Sequence, residues 1–122
     1  MNFTIVKRQI ISEYIALYGS DREGETWSLG DCIDVFRYFY RVYYQVFGCA
    51  HPYLRNHTIR QIITAFPYLS GDGYLQGELL DPNDYPAMIN AYFCQNFPAC
   101  NYSIAHFVSG NIRQLRYYEE LY

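Results

Sequence analysis

The run from Ser28 to Phe47, SLGDCIDVFRYFYRVYYQVF, is the longest stretch of large apolar and aromatic side chains in the chain. At about 100° per residue, Ile33, Phe36, Phe39, Tyr40, Tyr43 and Phe47 gather on one arc with Cys32, Val35, Val42 and Val46. Asp34, Arg37, Arg41 and Gln45 fall opposite. An arc covering about half the circumference is wider than one neighbour can bury, so the pattern predicts a helix in contact with at least two other elements. β-branched and aromatic content alone would suit a strand, but strands seldom run to about twenty residues and the charges recur at helical spacing. Ser28 is placed to cap the start, with Asp31 as its capping-box partner and Asp34 also early, where acid suits the helix dipole. Gly48 supplies the stop, with Pro52 beyond it.

The remaining segments read as cover for this helix. Thr4 to Tyr18 carries Ile10, Ile11, Tyr14, Ile15 and Tyr18 on one side and closes at Gly19. An acidic connection follows, and Trp27, just before the cap, is placed to staple the start of the central helix onto the core. Asn56 is expected to cap a third helix with Ile59, Ile62, Ile63 and Phe66 on its buried edge. Residues 70–80, with three glycines, read as a loop or short hairpin around Asp72-Gly73. The next helix can start at Asp81 or Asp84. Asp84 is preferred, because a start at Pro82 places Pro86 where a backbone donor is needed. Its apolar face is Tyr85, Met88, Ile89 and Tyr92. Asn101 is expected to cap a short helix over 102–109, and Gly110 to separate it from a last helix whose Ile112, Leu115, Tyr118 and Tyr122 can pack. The expected fold is all-α: one domain spanning residues 1–122, a compact bundle of five or six helices around the aromatic-rich one.

A chain of 122 residues can bury a core without disulfides or metal. The 15 tyrosines, within an aromatic share of 20%, exceed what a core requires, and Tyr suits surfaces that meet a partner. A net charge of −3, with acid gathered at Asp21, Glu23, Glu25, Asp31 and Asp34 and again at Asp72, Glu78, Asp81 and Asp84, disfavours a protein that coats phosphate backbones. The N-terminal segment lacks a basic then apolar signal pattern, and Glu13 interrupts its apolar residues. The expectation is therefore a cytoplasmic protein with four reduced cysteines and no membrane segment.

Chemistry is sparse. Cys49, His51, Cys94 and Cys100 are ligand types for zinc, but their spacing contains no Cys-x-x-Cys, so inert thiols and no metal are expected. His106 reads as a hydrogen-bonded core histidine, and Asp81 with Asp84 as helix-start chemistry. Gly71, Gly73 and Gly77 do not form a phosphate loop. Arg55, His57 and Arg60 cluster at the start of the third helix, but the long acidic connection after it argues against a helix-turn-helix. No catalytic, cofactor or metal residue is assigned. The expected partner-binding residues are Tyr38, Arg37, Arg41 and Tyr44, since Tyr and Arg dominate interface hot spots.

The tail FCQNFPACNYSIAHFVSGNIRQLRYYEELY, with DPNDYPAMINAYF before it, resembles the C-terminal part of small uncharacterised proteins of bacterial mobile elements and phages. The likeness covers the last third of the chain. It implies an accessory protein, acting on replication, transfer or host defence as an inhibitor through protein binding. Nucleic-acid binding is the alternative, and an enzyme or zinc-binding protein the third reading.

Overall fold

The structure is a computed structural model that describes residues 3–69, 79–94 and 102–109. Among these residues the order is α1 (Thr4–Tyr18), α2 (Leu29–Phe47), α3 (Asn56–Ala65), a 3-10 turn at Pro82–Asp84, α4 (Tyr85–Phe93) and α5 (Ile104–Phe107). It is an all-α bundle, with α2 packed against both α1 and α4 and α3 packed against α1 and α5. The last expected helix lies outside the described residues, as do Asn101 and the Asp72-Gly73 turn. Among the described residues there is one antiparallel bridge, Tyr68 to Leu79, and the Leu80 amide donates to the Pro67 carbonyl at 2.7 Å.

The start of α2 follows the capping-box geometry. Ser28 Oγ accepts from the Asp31 amide at 3.3 Å, and the Asp31 carboxylate accepts from the Ser28 amide at 3.0 Å. Together they satisfy two backbone donors that the first helical turn leaves without partners. At the other end Gly48 takes a left-handed conformation, φ 69°, and its amide returns to the Tyr44 carbonyl. Phe36 and Phe39 are wholly inaccessible and Tyr43 nearly so, as expected of the hub.

The apolar arc is not buried along its whole length, however. Val46 and Phe47 are 51% and 44% exposed, and Phe47 meets Phe93, at the end of α4, edge-on at 6.3 Å and Tyr102 at a tilt at 5.7 Å. The inward face of α1 is also rolled away from the expected one. Val6, Ile10, Glu13 and Tyr14 are buried, whereas Ile11, Ile15 and Tyr18 are exposed. Two polar tethers hold that roll: Arg60 of α3 bridges Glu13 at 2.8 Å, and the Tyr14 hydroxyl donates to the Trp27 carbonyl at 2.9 Å. A nearly inaccessible carboxylate turned toward its cation sets the register that apolar periodicity misplaced.

Two caps differ from expectation, those of α3 and α5, whereas Asp84 precedes α4 as preferred. Asn56 is the first residue of α3 rather than its cap, and its side chain instead accepts from Gln9 of α1 at 2.9 Å. Both proposed starts near Pro82 are used, since Asp81 caps the 3-10 turn through the Asn83 amide and that turn runs directly into α4. Pro86 thereby falls in the first turn of α4, where no backbone donor is required. α5 is capped by Ser103, whose Oγ accepts from the His106 amide at 3.2 Å.

Trp27 is a packing residue, 3% exposed, stacked on Phe66 and edge-on to Tyr85. Its indole N–H donates to the Leu80 carbonyl at 2.7 Å. Tyr85 in turn donates to the Phe66 carbonyl at 2.6 Å, so these buried polar aromatic tips end on backbone acceptors.

Candidate functional site

The four residues expected to bind a partner project from the outer side of α2, and they divide into two pairs. Arg41 and Tyr44 are exposed, and no ion pair among the described residues engages Arg41. Arg37 and Tyr38 are half-buried and already committed within the fold. The Arg37 guanidinium lies 5.2 Å from the Phe3 ring centroid and 3.7 Å from the Asp34 carboxylate. The Tyr38 hydroxyl donates to Asn90 of α4 at 2.9 Å. Arg41 is central, one helical turn from each of the other three.

Tyr38 also lines a cleft of about 210 Å³ between α2 and the 3-10 turn with α4. Its floor is Val35, Tyr85, Pro86 and Ile89, and Asp31 and Asp34 stand along it. A neighbouring polar depression shares Asp31, Pro82 and Asn83 and adds Glu25 and Asp81. Asp84 is held above the usual carboxylate range, mainly by burial and secondarily by the charge of Asp81. This acidic rim was readable as charge density, but its position beside Tyr38 was not, because α4 joins it across 52 residues.

The cationic cluster at the start of α3 is partly neutralised. Arg60 is spent on Glu13 through two contacts of 2.8 and 2.9 Å, while Arg55 and His57 remain exposed.

The suggested zinc ligands do not converge among the described residues, where no group of three or more His, Cys, Asp or Glu is placed to hold a metal ion. Cys49 and Cys94 are exposed free thiols, and Cys100 lies outside the described residues. Cys32, also free, is buried in α2, which pushes its thiol up to about 12 and leaves it unreactive. His51 is buried and has both ring nitrogens engaged by backbone. Nδ1 lies 2.8 Å from the Pro52 carbonyl, and Nε2 accepts from the Ile104 amide at 3.0 Å. These contacts select the neutral tautomer protonated at Nδ1.

Around His51 the rings form a cage. Tyr40 stacks on it at 4.3 Å with an interplanar angle of 15°, while Tyr43 and Phe39 close two other sides. Burial pushes its pKa down from the ordinary value, against the opposing pull of the Pro52 carbonyl. His106, the other histidine in this half of the bundle, has Nδ1 2.7 Å from the Tyr92 hydroxyl.

No described helix is long and apolar enough to cross a membrane. No protein-family model, curated protein or solved structure matches the chain.

Proposed function

We propose that this chain is a small noncatalytic protein-binding module, an accessory or inhibitor protein of a mobile element or phage working in the cytoplasm. The mobile-element setting rests on the resemblance of the last third of the sequence. The binding reading rests on one observation: Arg41 and the 47%-exposed Tyr44 stand on the outer side of a helix anchored in the core by the buried Cys32, Val35, Phe36, Phe39, Tyr40 and Tyr43. A side chain on a capped, core-anchored helix loses little further freedom on binding, which lowers the cost of making an interface. Arg37 and Tyr38, held in place by Phe3 and Asn90, extend the same surface with pre-ordered groups.

The adjoining cleft favours protein over nucleic acid. Asp31, Asp34 and Asp81 would repel phosphates beside it, and Arg60 is engaged with Glu13. The test is a pull-down from the native host, followed by affinity measurement for the recovered partner with Tyr38→Ala, Arg41→Ala and Tyr44→Ala. A loss of more than about tenfold, roughly 1.4 kcal/mol, in a variant of unchanged thermal stability supports this surface. Full affinity in all three removes it, and salt-dependent retention of nucleic acid with no protein partner overturns the reading in favour of the alternative.

A further inference from the structure

His51 sits where two parts of the chain, 53 residues apart, are joined by one hydrogen bond. Its Nε2 is the acceptor for the Ile104 amide, the first backbone donor of α5 and one that no intrahelical carbonyl can satisfy. α5 is only four residues long, so it has little helical cooperativity of its own. Its hold on the bundle includes the buried Phe107, Ile104 and Val108, the His106–Tyr92 contact at 2.7 Å, and this bond at its start.

We propose that His51 is a proton-operated latch: neutral, it holds the start of α5 to the core, and protonated, it frees residues 102–109 and uncovers the rings beneath them. An imidazolium has two donors and no acceptor, so Nε2–H would face the Ile104 N–H while Nδ1–H still met the Pro52 carbonyl. The bond that secures α5 becomes a donor–donor contact around a buried charge. The stacked Tyr40 face would favour a cation, but burial dominates, and the pKa of His51 lies below its ordinary value.

Among the described residues, the groups surrounding the ring are Tyr40, Tyr43 and Phe39 from α2, the Ile104 amide from α5, and Pro52 from its own loop. Val6 and Gln9 of α1 lie across an adjoining cavity of about 160 Å³ that Tyr53 and Leu54 also line. Neither a carboxylate nor a cation is among these groups. Tyr40 and Tyr43, both raised by burial, stay neutral throughout the acid range. The rings that release would uncover are Phe39 and Tyr92, which Phe107 covers at 5.5 and 5.2 Å, and Phe93, stacked on Tyr102 at 6.0 Å.

Amide exchange followed by NMR, corrected for intrinsic rates, tests the latch in the full chain between about pH 7.5 and about pH 5. Protection of Ile104, Phe107 and Val108 should fall by up to about tenfold per pH unit between the unfolded and folded pKa values of His51, and should stay below that of Phe36 and Phe39 throughout. His51→Gln retains a donor and an acceptor but cannot titrate, and should abolish the fall, whereas His57→Gln and His106→Gln should preserve it. Should His51→Gln not fold, the His51 ring resonances and the Ile104 amide shift of the wild-type chain should titrate with one shared midpoint. Protection at Ile104 that is constant with pH, that falls equally in His51→Gln, or that titrates apart from the His51 ring overturns the proposal.

Discussion

Trp27 and His51 flank α2 at its two ends, each a flat ring set into the core from a connecting loop. Each uses a ring nitrogen to hold a main-chain group 53 residues away, Trp27 the Leu80 carbonyl and His51 the Ile104 amide. The neighbouring helix starts are alike as well. An aromatic residue in left-handed conformation, Trp27 at φ 65° or Tyr102 at φ 54°, precedes a serine cap, Ser28 or Ser103. Such a conformation costs a bulky residue about 1–3 kcal/mol and persists only where packing holds it. The difference lies in the chemistry of the nitrogen. An indole N–H donates at every pH, whereas an imidazole acceptor is lost once protonated. One end of the hub is therefore pinned permanently and the other conditionally, and the conditional pin holds a four-residue helix that depends on it.

The largest expected effect comes from removing the ring that serves the His51 end. Phe39 contacts His51, Tyr92, Phe93 and Phe107 from a fully buried position, so Phe39→Ala should cost about 3–5 kcal/mol in denaturant titration. It should also blunt the dependence of stability on pH. Trp27→Phe keeps an aromatic ring but leaves the Leu80 carbonyl without its donor, at a cost of about 1–3 kcal/mol that should be equal at neutral and mildly acid pH.

His51→Gln removes the stacked ring, costing about 0.5–1.5 kcal/mol at neutral pH. The sign of the pH effect follows from linkage. The folded pKa is lowered, so the unfolded chain binds the proton more readily and wild-type stability falls as pH drops below the unfolded value of about 6.5. The gap between wild type and His51→Gln should therefore close on acidification. The smallest stability effects belong to the outer face of α2, where Arg41→Ala and Tyr44→Ala should change stability by no more than about 0.5 kcal/mol. Any loss of partner affinity in these two variants then reports on binding alone.

What the sequence disclosed and what it concealed divide along the same lines. The capping box of α2 was legible because Ser28 and Asp31 are three residues apart, and the buried rings because their spacing is helical. The roll of α1 was not, since it is set by Glu13 meeting Arg60 across 47 residues. His51 presented itself as a metal-ligand type beside Cys49, yet its partners are a carbonyl and an amide, backbone groups that no side-chain pattern announces. The outer-face residues were readable as a stripe, but the engagement of Tyr38 with Asn90 and the cleft beside it depend on where α4 docks.

The contrast between the two pins is tested most directly by unfolding free energies of the wild type, Trp27→Phe and His51→Gln, each measured by denaturant titration at about pH 7.5 and about pH 5.5. Wild type and Trp27→Phe should lose the same increment of stability on acidification, while His51→Gln should lose less than either. Equal losses in all three proteins, or a smaller loss in Trp27→Phe than in wild type, would contradict that contrast.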